Sequence, residues 1–504
     1  MSPSKTRLII VAGAAAVALQ GCVVGPDYKK PEASVPASFR GMEGADAAAS
    51  IADLPWWEVY RDPTLQELIR AAVQNNYDLR IAIARIEQAR ALAAQAKSQF
   101  YPTVGYGASA SSGRNEYLGS MAYNGGETNS PVGAVLNAAW ELDVWGRVRR
   151  LNEAALAEYL ATEEARRGVM LSLVSGVAQA YFELLELDLE LDIARRTTES
   201  FAESLRIFTL RLDGGTASKL ETSRAEAAMA STAANIPEIE RRIMFKENQI
   251  NVLLGRAPGP VARDVKLTDD LVPPEVPAGI PASLLERRPD ILEAEQALRS
   301  ANAQIGVAVA NFYPQIGLTA FLGKVSPEVS ALTAGTTNAW SIAASATGPI
   351  FTAGLLDAQL QQARAVWQQV ALRYDQTVLN AMEEVSNALA AREKLRGVRE
   401  ERERSVRAYE ESVAVAMQRY IAGKSSYYEV LDAQQQLFPQ ENLLAVTRLE
   451  QLSAVVALYK ALGGGWSLTT DDWGPTTPPP PAPGTTEKAS GGPPADGEKQ
   501  ARGE

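Results

Sequence analysis

Histidine is absent from all 504 residues. That single absence removes imidazole general bases, the Ser-His-Asp and Cys-His arrangements and most zinc sites. Cysteine occurs once, so no internal disulfide or CxxC chemistry is available. Basic excess is missing too: 49 Lys+Arg stand against 60 Asp+Glu, which argues against binding nucleic acid by bulk charge. There is no phosphate-cradling loop, because Gly463-Gly464-Gly465 closes a helical pattern with no strand before it and no helix after it. An enzyme is therefore not expected, and neither is a metal or cofactor.

The one cysteine has a position that explains it. Lys5 and Arg7 precede an apolar run from Leu8 to Leu19, and Leu19-Gln20-Gly21-Cys22 follows. This is the layout of a secretory signal peptide, and the run is short of the ~20 residues a membrane-spanning helix needs. Its end is similar to a bacterial lipobox, which implies a lipid on Cys22 as the mature N-terminus. An ordinary signal peptide with an incidental cysteine is the alternative. Without Lys5 and Arg7 the mature chain has 47 basic and 60 acidic residues, a net charge of −13. Val23 rather than Asp follows the cysteine, which by the same likeness favours the outer membrane.

The remainder is written twice. Asp78 and Asp290 are 212 residues apart, as are Pro102 and Pro314; further on the offset is 208, for Gly146 and Gly354, Gly215 and Gly423, Gly255 and Gly463. A loop four residues shorter in the second half accounts for the change. Each half has a helix (Asp62 to about Gln99, Ala282 to about Asn311), two strands, a very long helix and a returning helix. The long helices, about Arg147 to Leu212 and Leu355 to Ile421, would each extend on the order of 100 Å, as in a coiled coil or helical-barrel wall. Pro237 and Pro439 predict a kink or break in each returning helix. The expected plan is a signal peptide at 1–21, an anchored segment at 22–61, and a first repeat at 62–255. A Pro-rich linker at 256–281, a second repeat at 282–465 and a disordered Pro/Gly-rich tail at 466–504 complete it.

The strands alternate with period two. Val104, Tyr106, Ala108 and Ala110 alternate with Gly105, Gly107 and Ser109. Leu136, Ala138, Trp140 and Leu142 alternate with Asn137, Ala139 and Glu141. Ile316, Leu318, Ala320 and Leu322, then Trp340, Ile342, Ala344 and Ala346, repeat the pattern. Strands of the ~9–11 residues that cross an outer membrane are predicted, with Tyr101, Trp145, Phe312, Tyr313 and Phe351 near their ends. Gly/Asn/Ser/Thr-rich loops lie between them, around Gly113–Ser130 and Lys324–Thr337. Soluble amphipathic hairpins would alternate likewise; the leader and the helix lengths favour membrane. Four strands cannot close a barrel, and lipid tolerates no open sheet edge, so several copies must share one.

The motifs resemble the outer membrane factor family, the TolC- and OprM-like exit ducts, in its lipoprotein (NodT-type) branch. The carrying residues are Trp56-Trp57-Glu58, Asp62-Pro63 with Leu65 and Leu68, and Asn76 through Ala89. Arg287-Arg288-Pro289-Asp290-Ile291, Ala301 to Gly306, Phe312-Tyr313-Pro314 and Tyr420 to Gln434 carry it in the second half. The likeness spans roughly residues 25 to 465. It implies a mainly α homotrimer whose three sets of four strands close a twelve-stranded β-barrel, continued by a long periplasmic α-helical barrel. It further implies a multidrug-efflux channel served by a periplasmic adaptor and a resistance-nodulation-division or similar inner-membrane pump. The alternative is a duct for protein or peptide secretion.

On that resemblance Glu429 and Asp432 match the acidic ring of a periplasmic gate; three apart on a helix, they share a face. Tyr420 and Glu221 match latch positions, with Lys424 adjacent to Ser425, where a basic residue is expected. Gly215, Thr216 and Gly423 match adaptor-docking hairpin tips. The glycines also read as helix ends in left-handed geometry, and the acids as solvated helix charges.

Overall fold

The computed structural model describes residues 23–32, 36, 38–39, 50–114, 128–129, 132–269, 281–326 and 338–465. The signal peptide, Cys22, the tail and most of both inter-strand loops lie outside the described residues. Helices α1 (Pro63–Asn75) and α2 (Tyr77–Ser98) lead to strands β1 (Thr103–Ala110) and β2 (Val132–Leu142). The long α3 (Arg147–Asp213) follows and returns as α4 (Lys219–Ala233) and α5 (Asn235–Leu253). The second repeat is α6 (Pro289–Ala310), β3 (Gln315–Ser326), β4 (Asn338–Thr347), α7 (Leu355–Ile421) and α8 (Tyr427–Ala461). Both α3 and α7 contain 67 residues.

All three glycine pairs at offset 208 have a backbone reason. Gly146 and Gly354 precede the long helices with φ of 80° and 85°; Gly215 and Gly423 end them with 74° and 72°; Gly255 and Gly463 end the returning helices with 67° and 72°. A side chain disfavours this left-handed geometry. At the hairpin ends the turn is a Schellman closure: Thr216 N donates to Arg211 O, and Lys424 N to Arg419 O, both at 2.8 Å.

The single opening helix expected in each half is in fact broken. Asn76 separates α1 from α2: its side-chain oxygen caps α2 by accepting from Leu79 N at 3.0 Å, and its Nδ2 donates to Leu253 O at 3.0 Å. In the second repeat a short turn, Leu284–Arg287, stops at Arg288, which Pro289 holds in an extended conformation. Arg288 Nη1 donates to Ala461 O at 2.8 Å. Leu253 and Ala461 are 208 residues apart, so two chemically different side chains make the same link from helix break to end of return.

The prolines also divide. The first return breaks at Ala234, three residues before Pro237. The second does not break: α8 runs through Pro439 as one 35-residue helix, so of the kink or break expected there the break is absent. One missing donor is outweighed there by packing of α8 along α7 and α3. The start of the Pro-rich linker is irregular yet anchored: Val261 and Leu267 are buried, and Arg263 bridges Asp188 (3.0 Å) and Glu247 (2.6 Å).

The main core lies midway along the helices, where Tyr181, Leu184, Leu185, Tyr374 and Tyr459 are fully buried. The most apolar stretch of α3 belongs to it: 67% of that stretch is buried inside the molecule, so it is core rather than a membrane span. Tyr181 donates to Asp62 at 2.6 Å, tying α3 to the residue that caps α1.

Candidate functional site: the sheet faces and the hairpin ends

The four strands form one antiparallel sheet in chain order, β1-β2-β3-β4. The two repeats therefore meet at β2–β3, which pair over eleven residues from Val132↔Ser326 to Leu142↔Ile316. Strand lengths are 8, 11, 12 and 10 residues, the first just short of the expected range, and β3 extends past Lys324 to Ser326.

Register decides what each face is. Tyr106, Leu136, Leu322 and Trp340 stand in one row across the sheet, and Val104, Ala138, Ala320 and Ile342 in another. The large side chains in these rows are exposed, Tyr106 by 87% and Ile342 by 77%, which water would not favour but lipid would. The opposite face carries Gly105, Asn137, Phe321 and Ser341 in one row and Thr103, Ala139, Thr319 and Ala343 in the next. Glu141, the one acid among the described strand residues on that face, is neutralised by a two-pronged ion pair with Arg147 (2.8 and 2.6 Å). A β-sheet greasy outside and small or polar inside is a barrel wall segment.

Aromatic residues mark the helix end of that wall. Trp145 stacks on Tyr313 at 4.8 Å and donates from Nε1 to Pro314 O at 2.8 Å. The segment just after Cys22 ends at this level: Val24 N donates to Trp145 O at 3.1 Å, and Arg150 pairs with Asp27 at 2.7 Å. Lys30 pairs with Glu295 at 2.8 Å, and Asn302 Nδ2 donates to Pro26 O at 2.9 Å, fastening the segment along α6.

At the far end the two helical hairpins pack on each other. Phe208, Ala225, Ala416, Tyr420 and Val430 form one small core, and Phe201, Ala228 and Leu431 another. Tyr420 is buried beneath Arg211 and Phe208, joining α7 to α3. Arg224 Nη1 donates to Tyr427 Oη at 2.9 Å, joining α4 to α8. Gln434 Nε2 donates to Ser200 Oγ at 2.8 Å, and the buried Ser204 Oγ donates to Gln434 Oε1 at 3.1 Å.

The residues expected at a gate are distributed unevenly around this contact. Glu429 and Asp432 are exposed on the same face of α8, while Val430, Leu431, Ala433 and Gln434 bury the other. Glu429 has only a long ion pair, 4.0 Å to the exposed Arg419. Glu221 lies in the first turn of α4, and Lys424 is exposed at the tip of the second hairpin. Among the described residues neither makes a side-chain hydrogen bond or ion pair, so one chain does not join them to Tyr420. Ser425 Oγ donates to Ala416 O at 3.5 Å. Gly215 and Gly423 have no neighbour within 4 Å of an added Cβ, and Thr216 is exposed beside Gly215.

Sequence reasoning missed Phe208, Arg211, Ser204 and Arg224. Tyr427 and Gln434 lay within the Tyr420–Gln434 motif but were not singled out. Arg211 and Phe208 carry no local signal beyond lying one and two turns before Gly215.

A lipid-facing sheet carried on paired helices of 67 residues defines an outer-membrane channel subunit. A family model described as outer membrane efflux protein matches residues 68–256 and 280–464. The toluene efflux pump outer membrane protein TtgC of Pseudomonas putida is 36% identical over 92% of this chain and 96% of its own length. The cation efflux system protein CusC of Escherichia coli is 35% identical over 92% of this chain and 100% of its own length. The MtrE outer membrane channel of Neisseria gonorrhoeae, in its open state, superposes with a TM-score of 0.79 at 32% identity, over 88% of this chain and 99% of that one. The channel OprN superposes at 0.80 with 31% identity, over 88% and 100%.

The chain belongs to the outer membrane efflux protein family. It is an outer-membrane efflux channel, mainly α, whose four strands are one subunit's part of a trimeric twelve-stranded barrel continued by an α-helical barrel. The family is one of channels rather than enzymes.

Proposed function

We propose that the trimer passively conducts small amphipathic compounds, drugs and solvents among them, from a periplasmic adaptor and an inner-membrane pump to the outside. The observation that carries this reading is the register that puts every large apolar strand residue but Val135, Phe321 and Val325 on one face. The other face is then a wall mostly of glycine, alanine, serine and threonine with a few polar side chains, over which varied cargo slides without tight binding. Named relatives work in toluene, solvent, antibiotic and cation efflux, which supports a low-molecular-weight cargo.

Energy enters elsewhere, at the pump, and this chain supplies the path and a gate. Exposed Glu429 and Asp432, tripled by symmetry, would ring the periplasmic mouth with negative charge. Glu221 and Lys424, unpaired within one chain, are available to a neighbouring subunit beside Tyr420. The open glycine tips Gly215-Thr216 and Gly423 suit the adaptor. Cys22 carries the lipid, a reading supported by the attachment of Val24 at the level of the Trp145–Tyr313 stack. No cofactor takes part.

The test is complementation. In cells lacking their own exit duct, the chain with its cognate pump and adaptor should restore tolerance to toluene and apolar antibiotics. Restored protein secretion without restored tolerance would overturn the reading. Palmitate should label the wild type and not Cys22→Ser.

A further inference from the structure

The inner face of the sheet is interrupted at one place. Among the described strand residues on that face, Phe321 is the sole aromatic side chain. It lies across from Asn137 on β2 and Ser341 on β4, with Gly105 completing the row. Side-chain positions agree with register: a Cβ on Gly105 would lie 3.3 Å from Asn137 Oδ1, one on Gly317 would lie 3.2 Å from Ser345 Oγ, and one on Gly133 would lie 3.5 Å from Ser109 Oγ. Gly323 and Thr319, two residues away on the same face, leave the Phe321 ring without a large neighbour along its own strand, and it is 37% exposed.

Depth matters as much as direction. The Phe321 row falls between the two rows of exposed lipid-facing residues, Tyr106–Leu136–Leu322–Trp340 and Val104–Ala138–Ala320–Ile342. It therefore sits within the apolar band of the barrel rather than at either mouth. Threefold repetition puts three such rings at one level of a lumen whose other described strand residues are small, polar or no larger than valine among the apolar ones. A phenyl ring in a watery pore gains from covering its face, and its quadrupole favours flat aromatic partners and organic cations.

We propose that Phe321 forms a three-membered aromatic collar inside the barrel that makes transient contact with planar aromatic and aromatic-cation cargo. This rests on the channel reading above and adds a contact residue and a cargo class to it. The collar is weak by design: rings exposed to water grip loosely enough for cargo to leave.

Two measurements on the intact trimer test it separately from that reading. The first is labelling of Phe321→Cys, Asn137→Cys, Ser341→Cys and Leu322→Cys by a membrane-impermeant cationic methanethiosulfonate in proteoliposomes, scored by mass spectrometry. The first three should label and Leu322→Cys should not; the reverse pattern would overturn the facing and with it the channel reading. The second is equilibrium dialysis of tetraphenylphosphonium, with tetraethylammonium as control. Phe321→Ala should weaken tetraphenylphosphonium binding by about threefold or more and tetraethylammonium binding by less, because only the former also stacks, and Phe321→Tyr should retain both. Unchanged binding in Phe321→Ala, with lumen-face labelling intact, would overturn the collar alone.

Discussion

The Arg211 guanidinium lies 4.4 Å from the centre of the Tyr420 ring and donates to the Tyr420 carbonyl at 3.3 Å, while Phe208 meets the same ring edge-on at 5.2 Å. Three contacts thus join the ends of the two long helices, one from each repeat. Any opening of the periplasmic end that separates the hairpins must break them.

Tyr420→Ala should loosen that end. Truncating a buried aromatic costs about 3–5 kcal/mol, far more than the exposed Arg419–Glu429 pair at about 0–1 kcal/mol. Planar-bilayer conductance should rise, and trypsin should cut the hairpin tips faster. Tyr420→Phe should behave as wild type, because the ring and carbonyl make the described contacts. Wild-type conductance in Tyr420→Ala would remove Tyr420 from the gate.

Charge at the mouth is tested by Glu429→Ala with Asp432→Ala. Cation preference, read as reversal potential in a KCl gradient, should fall, and conductance should change. Unaltered selectivity would leave these acids as solvated helix charges.

Glu186 gives a pH dependence. Burial, then a hydrogen bond with Glu190, raises its carboxyl from 4.5 to about 8, with Glu183 adding repulsion and Arg242 opposing it. Between those values the folded chain holds a proton the unfolded chain has released, so stability falls as pH rises through the window. Glu186→Gln should therefore melt above the wild type at pH 8–9, and the gap should shrink towards pH 5. A gap independent of pH would refute the protonated carboxyl.

Glycines of equal backbone geometry should differ in consequence. An added Cβ at Gly255 would lie 2.4 Å from Asn75 O, whereas at Gly215 it meets nothing within 4 Å. Gly215→Ala should cost only the left-handed strain, about 1–2 kcal/mol. Gly255→Ala should cost clearly more, seen as a larger drop in melting temperature and lower yield of trimer.

What could be read from the sequence was whatever fits inside one element or recurs at a fixed offset. The glycine pairs, the period-two strands and the uninterrupted helical stretches are such features, and each appears where its spacing implied. Asn76, a favoured N-cap residue, and Pro289 after Arg288 are local break signals inside otherwise helical patterns; what no local pattern carries is the partner of each side chain, the carbonyls at Leu253 and Ala461, more than 170 residues away. At Pro439 the helix stays unbroken for a similar reason, because α8 is held by its neighbours rather than by its own propensity.

The missing histidine and the lone cysteine determined by themselves that imidazole and internal disulfide chemistry are excluded, and the doubled pattern determined that the chain is built from two like halves. Tertiary structure alone decided the pairing of β2 with β3, and hence that Phe321 shares the small-residue face while Leu322 shares the lipid face. It alone decided that Arg211 covers Tyr420. Alternation along a strand is a local property, but which strands align, and which helix ends touch, is settled by contacts between halves some 200 residues apart in the chain.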